Sequence, residues 1–374
     1  MTERAGVVER IEAATPAGRE RELDGLRALA ILGVVFGHWI VTAVSAGATG
    51  PWRTDSPLRH LPDWAPVTWA LQPLAVFFLV GGRVAARSYA CSPAYGPWAR
   101  RRMTRLGRPI GALLVVWGAT LAALARFVDA ATLRTVGRLV AAPLWFVLVY
   151  AGLTALTPIV VRLGRWGPVL ACGCVAAIDL ARFAGGASAS LGGVNVLAGW
   201  LVPYALGVVW AGPRRRDVER LGVPIAVVGG LASVALVTWC GYPVSMVGVP
   251  GEAVSNLNPP TLAAVAFGLA QCGLAIATRE RFGRFLRRRT SAWAVVAMVN
   301  LAAMTVFLWH QSAMLAVTAA GVGVGGLPGL GTAPTSPLWV IARIAWMPLF
   351  AVALGALWTV FRRWEREGSP RARQ

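Results

Sequence analysis

The sequence predicts an all-α protein, a polytopic transmembrane helical bundle of about ten spans with both termini in the cytoplasm. Three observations predict it. Hydrophobic residues make up 56% of the 374 residues and charged residues only 14%, where a soluble domain carries roughly a quarter charged. The apolar residues form long blocks rather than an amphipathic stripe, as helices surrounded by lipid do. The basic residues, all 36 of them arginine, gather in short segments between those blocks.

Taken in order, the first twenty or so residues are polar and charged. A signal peptide has a short basic start and a quick apolar core, so the first apolar run is expected to remain as a span. Spans are predicted near Leu26–Ser45, Pro66–Ala86, Pro109–Val128, Ala142–Val161 and Gly167–Gly185. Five more follow near Ser190–Ala211, Val223–Pro243, Pro260–Thr278, Trp293–Ala319 and Leu338–Phe361. Each approaches or exceeds the roughly 20 residues that cross a hydrocarbon core. Residues 1–22 and 362–374 are expected to be cytoplasmic tails around a membrane domain of residues 23–361. Arg362, Arg363, Trp364, Glu365 and Arg366 read as an interfacial stop-transfer segment, with no soluble domain expected at either end.

The arginines orient this frame. With the N-terminus inside, the cytoplasmic loops and tails hold 27 arginines, while the opposite loops hold Arg53, Arg59, Arg134 and Arg138. A missed span would invert every later loop and destroy that asymmetry, so the even count follows from the positive-inside rule. The net charge of +20 is therefore topological. No aromatic-interleaved basic stripe of the kind that binds nucleic acid is present, and the expected partner is the lipid bilayer. The five cysteines fall mostly inside apolar runs and predict neither a disulfide framework nor a metal site.

Charge near the bilayer centre costs at least about 2.5 kcal/mol per residue, so polar groups within spans mark candidate sites. The first span carries Asp24, Arg27 and His38. Arg27 and His38 are eleven residues apart, which places them within about 20° around the helix axis and about 16 Å apart along it. Asp24 lies one turn before Arg27, close enough to pair with it. The ninth span carries Trp309, His310 and Gln311, and counting inward places His310 at the level of His38. Asp179 with Arg182 reads as a mutually neutralising structural pair, Arg343 as a snorkelling residue, and His60 as solvated. Between the second and third spans, Arg100, Arg101, Arg102, Arg105 and Arg108 form a basic stretch that suits topology and also suits gripping phosphates. Trp145 and Phe146 open the fourth span, where an aromatic belt residue is the plain structural alternative.

The run from Leu23 to His38 resembles the first helix of the acyltransferase 3 family of membrane acyltransferases. Its mark is an arginine, ten intervening residues and a histidine, usually in a Leu-Asp-Gly-Leu-Arg context; Asp24, Arg27 and His38 stand in those places. Phe77–Phe78, Arg101–Arg102 with Arg105 and Pro109, Leu144–Trp145–Phe146, Asn258–Pro259–Pro260–Thr261 and Trp309–His310 also match, in the family's order. One departure is Gly81, where many members carry serine before the glycine.

The resemblance implies transfer of an acyl group, commonly acetyl, from cytoplasmic acyl-CoA to a hydroxyl or amine of a carbohydrate, lipid, cell-wall or metabolite acceptor. It implies no bound cofactor and no metal, and residence in a bacterial inner membrane. Acyl transfer needs a base for the acceptor's proton, and a neutral imidazole suits that task. An arginine cannot bridge about 16 Å, so Arg27 is expected to hold the donor while His38 acts at the thioester, as base or as transient acyl carrier. Asp24 and His310 complete the expected catalytic set. Arg101, Arg102, Arg105, Trp145 and Trp309 are the expected substrate-binding residues. The rival class is a transporter or flippase of an envelope precursor, which ten spans and intramembrane charge also suit; the absence of an inverted repeat or of paired broken helices argues against it.

Overall fold

The computed structural model describes residues 2–45 and 50–366. Among them, ten helical segments are long and apolar enough to cross a membrane, the number the sequence predicts. Helix α1 (Thr2–Ala13) precedes the first of these, α2 (Arg21–Val41). The expected N-terminal tail is thus folded. Its Glu12 meets Arg21 at 2.5 Å, and Thr15 Oγ1 accepts a hydrogen bond from the Trp293 indole. Beyond α2, strands β1 (Ala43–Ser45) and β2 (Arg53–Asp55) form a small antiparallel hairpin, followed by the single turns α3 (Pro57–His60) and α4 (Thr68–Leu71). His60, expected to be merely solvated, pairs with Asp55 at 2.9 Å.

Helix α5 (Leu74–Ala90) runs past the expected end of the second span, and α6 (Tyr95–Leu124) absorbs the basic stretch that the sequence places in a loop. Pro109 sits buried inside α6 rather than opening it; membrane helices tolerate such interruptions because neighbours satisfy the freed backbone groups. The fourth span differs most from expectation. It begins earlier, with α7 (Ala130–Ala141), and is broken at Pro143 and Leu156 into α8 (Leu144–Ala155) and α9 (Thr157–Leu163). Helix α7 is amphipathic, burying Thr132, Val136, Leu139 and Val140 while Arg134 and Arg138 stay exposed.

Helices α10 (Trp166–Phe183), α11 (Gly193–Ala211), α12 (Arg215–Arg220), α13 (Gly222–Trp239) and α14 (Leu262–Arg288) follow. The expected ninth span is broken at Ala302 into α15 (Thr290–Leu301) and α16 (Ala303–Gly323). The Asn300 amide bonds the Val296 carbonyl four residues back and also the Asp24 carbonyl. Local side-chain bonds of this kind compete with helix continuation. Helix α17 (Pro337–Arg366) ends the described chain, so the predicted tail is helical through Arg366, and residues 367–374 lie outside the described residues.

Glycine sets the tightest helix contacts. A Cβ on Gly229 would meet Ala270 N at 2.6 Å and Ala266 O at 2.7 Å, so α13 and α14 touch backbone to backbone. Gly82 of α5 and Gly207 of α11 are likewise pressed against the carbonyls of Tyr204 and Leu79. Without a hydrophobic driving force between helices in lipid, such close packing is what holds spans together. The outer helices turn Val227, Val228, Leu231, Ile341, Ile344 and Val352 outward, an apolar belt suited to hydrocarbon. Helix α2 lies inside, packed against α5, α14, α15, α16 and α17.

Candidate active site

The site is built on α2, whose 21 residues run unbroken from Arg21 to Val41. Arg27 and His38 both face the α15–α16 segment, as their spacing predicts. Arg27 Nε donates to the Asn300 side-chain oxygen, and Asn300 Nδ2 donates back to the Asp24 carbonyl at 2.8 Å. Asp24 is paired chiefly with Arg19, through a fork of 2.5 and 3.0 Å. Its distance to Arg27 is 3.7 Å, so the expected Asp24–Arg27 pair is the looser of two. Glu20, just ahead of α2, draws in Arg83 at 2.7 Å and also Arg87.

Toward the other end of α2, the His38 and His310 rings lie 5.0 Å apart, edge to face. The level predicted for the two histidines is the level observed. His310 is fully buried. Its Nδ1 lies 2.7 Å from the Phe307 carbonyl, and its Nε2 has no partner among the described residues. A carbonyl only accepts, so Nδ1 carries the proton and Nε2 keeps a free lone pair. His38, half-buried, meets the Gln311 amide nitrogen through Nδ1 at 2.7 Å. The next residue of α2, Trp39, donates its indole N–H to the His310 carbonyl at 3.0 Å. Trp117 of α6 donates to Ser312 Oγ at 2.9 Å, fixing α16 from the other side.

Arg343 does not snorkel. It is 1% exposed and donates to the carbonyls of Trp39, Thr42 and Gly329 at 2.7, 2.7 and 2.8 Å. Its guanidinium caps the C-terminal end of α2, where carbonyls lack intrahelical partners and a cation is favoured. Asp179 pairs with Arg182 as expected and also accepts from Asn195, Tyr242 and the Leu262 N–H at 2.9, 3.1 and 2.7 Å. The Arg182 contact, at 3.9 Å, is the longest of the four. The cluster staples α10, α11 and α14 together.

Between Arg27 and the imidazoles runs a row of rings. Tyr150, close enough to act electrostatically on Arg27, stacks on Phe146 at 6.3 Å; Phe146 meets Phe307 at 4.6 Å, and Phe307 meets His310 at 6.0 Å. Trp145 belongs to this interior wall rather than to an interfacial belt, packing 6.2 Å from Trp200. Gly81 leaves the space that the Tyr150 ring fills. Trp309 goes elsewhere, stacked 4.0 Å from Phe361 between α16 and α17. Of the α6 arginines, Arg102 is half-buried and Arg105 is exposed. Arg102 also lies over the Trp98 ring, and Arg101 is exposed. Asn300, Arg19 and Tyr150 were not singled out by sequence reasoning, and Gln311 was given no role. Asn300 had a signal, being a lone amide in an apolar run; Arg19 had none.

The fold is thus a membrane-spanning helical bundle that brings two imidazoles, one of them fully buried, edge to face in its interior. Residues 20–366 match the family model Acyl_transf_3, described as an acyltransferase domain. The chain belongs to that family, the acyltransferase 3 family, and is a membrane acyltransferase. No curated protein and no solved structure matches it.

Proposed function

We propose that the enzyme transfers an acyl group, most naturally acetyl, from cytoplasmic acyl-CoA to a hydroxyl or amine of a carbohydrate, lipid, cell-wall or metabolite acceptor, in a bacterial inner membrane. The observation that carries this reading is the meeting of His38 and His310, the latter with a ring nitrogen that no group among the described residues occupies. In this reading the Arg27 end of α2 faces the cytoplasm, on the strength of the arginine asymmetry. Arg27, Arg102 and Arg105 then grip the donor's phosphates, for which guanidinium groups are well shaped. The row Tyr150–Phe146–Phe307 offers an apolar wall along which the pantetheine arm reaches His38.

At His38, the imidazole takes the acceptor's proton as the acceptor oxygen or nitrogen bonds to the thioester carbonyl carbon. The carbon–sulfur bond then breaks and the proton returns to the leaving thiolate, so the ring ends neutral. Transient acylation of the imidazole is the other route. Both use the same nitrogen. The deciding measurement is transfer from labelled acetyl-CoA by purified protein to extracted envelope and metabolite fractions. Transfer that is lost in His38→Ala supports the reading; unchanged transfer in that variant sinks it.

A further inference from the structure

Gln311 is 1% exposed on α16, and its amide is the partner of His38 Nδ1 at 2.7 Å. The opposite atom of the same amide, Oε1, is buried and bonds nothing among the described residues. An amide nitrogen only donates, and an amide oxygen only accepts. The two faces of this one group therefore dictate opposite states of the ring. With –NH2 toward His38, Nδ1 must hold the lone pair and the ring proton sits on Nε2. With the amide turned by half a turn, its oxygen accepts a hydrogen bond from Nδ1–H, and Nε2 holds the lone pair.

Only the second state serves the chemistry. Gln311 occupies Nδ1, so Nε2 is the nitrogen left for substrate. Whether Nε2 takes a proton from the acceptor or attacks the thioester carbonyl, it needs a free lone pair. Once Nε2 is protonated or acylated, Nδ1–H must still find an acceptor, and –NH2 facing it would set donor against donor. His310 has this matter settled by its own helix, since the Phe307 carbonyl fixes its proton on Nδ1. His38 has no comparable backbone acceptor at Nδ1. Its tautomer rests on one rotatable amide.

We infer that Gln311 is the positioning residue that selects the tautomer of His38, presenting its carbonyl oxygen to Nδ1–H in the working state and its –NH2 in the resting arrangement described above. The inference rests on the proposed acyl transfer, with His38 as the reacting group. It adds a two-state element beside the reacting nitrogen, in which turning one buried amide switches Nε2 from donor to lone pair. The other charged or titratable groups facing this end of α2 are His310 on α16 and Arg343 on α17, and Arg343 is committed to three carbonyls.

The experiment is 15N NMR of histidine-labelled protein in detergent micelles, alongside rate–pH profiles. Only three histidines exist, and His60→Asn together with His310→Asn assigns His38 by elimination. In Gln311→Glu the carboxylate can only accept, so His38 is expected entirely as the Nδ1–H tautomer, and the acid limb of kcat moves to higher pH. Gln311→Leu offers neither face; a mixture of tautomers and a kcat lowered about 10- to 100-fold are expected, with donor KM little changed. Wild-type kcat in the leucine variant, or a His38 tautomer identical in wild type, glutamate and leucine variants, overturns the inference. The spectra report on the amide even if no acyl transfer is found in any variant, so failure of the assigned reaction is distinguishable from failure of the tautomer assignment.

Discussion

The two ends of helix α2 hold polar groups in opposite ways. At the Arg27 end charge is set against charge, with Glu22 Oε2 and Arg83 Nε left without hydrogen bonds among the described residues. Asp24 has Arg19, Arg27 has Asn300, and Glu20 has Arg83 and Arg87. At the His38 end the groups left over are neutral, His310 Nε2 and Gln311 Oε1, both buried without partners among the described residues. Buried polar groups are nearly always satisfied, and the exceptions ask for a reason. Paired charges fit a binding end whose geometry must be held ready. Spare capacity fits a reacting end, where the missing partner is the substrate.

The largest effect that tests this contrast is removal of the imidazole. His38→Ala should lower kcat by about 10²- to 10⁴-fold, the usual contribution of a positioned acid–base group, while the melting temperature in detergent stays close to wild type. A variant that melts far below wild type would instead make His38 a packing residue. Arg343→Met should do the reverse. It strips three carbonyls of a charged donor, each such bond contributing about 1.5–3 kcal/mol, so thermal stability falls sharply. Any activity of the surviving folded fraction should show an ordinary donor KM. A rise in KM without loss of stability would place Arg343 in the binding end and blur the distinction.

The contrast was half legible in the sequence. His38 and His310 could be found because imidazoles are rare in spans and their depth can be counted along a helix of known rise. The pairing at the Arg27 end could not. Asp24 and Arg27 are correctly placed to pair at one turn's spacing, but a nearer arginine, Arg19, arrives from outside the span, and no periodicity announces it. Arg343 was misread for a related reason: its exposure depends on where the Gly329 turn and the last carbonyls of α2 fall, which is tertiary information. The ten spans survived because hydrophobic length is read locally. The breaks at Pro143 and Ala302 moved boundaries without changing the number, and the second of them exposes the amide of Asn300 to Arg27.

That amide gives the next test. Asn300→Ala leaves Arg27 without its neutral anchor and releases the Asp24 carbonyl. Loss of a hydrogen bond to a charged group is worth about 1.5–3 kcal/mol, and because the guanidinium keeps partial contact with Asp24, a donor KM raised about tenfold is expected, with kcat nearly unchanged. Asn300→Asp should restore the contact. If kcat falls instead and KM does not move, the break at Ala302 positions α16 and the imidazoles, and Asn300 belongs to the reacting end.

The smallest effect belongs to Arg19. Its fork with Asp24 is short, at 2.5 Å, but the Arg19 side chain is 49% exposed, and exposed pairs are worth about 0–1 kcal/mol. Arg19→Gln should therefore leave the melting temperature within a degree or two of wild type. Its value lies in what Asp24 does next. Freed of its nearer partner, the carboxylate can close the 3.7 Å gap to Arg27, neutralising the guanidinium assigned to the donor's phosphates. A donor KM raised two- to threefold, more at low salt than at high salt because exposed charges are screened, is the expected sign. A KM that falls would mean that Arg19 and the donor compete for the same space, making the fork a barrier at the entrance rather than a brace for it.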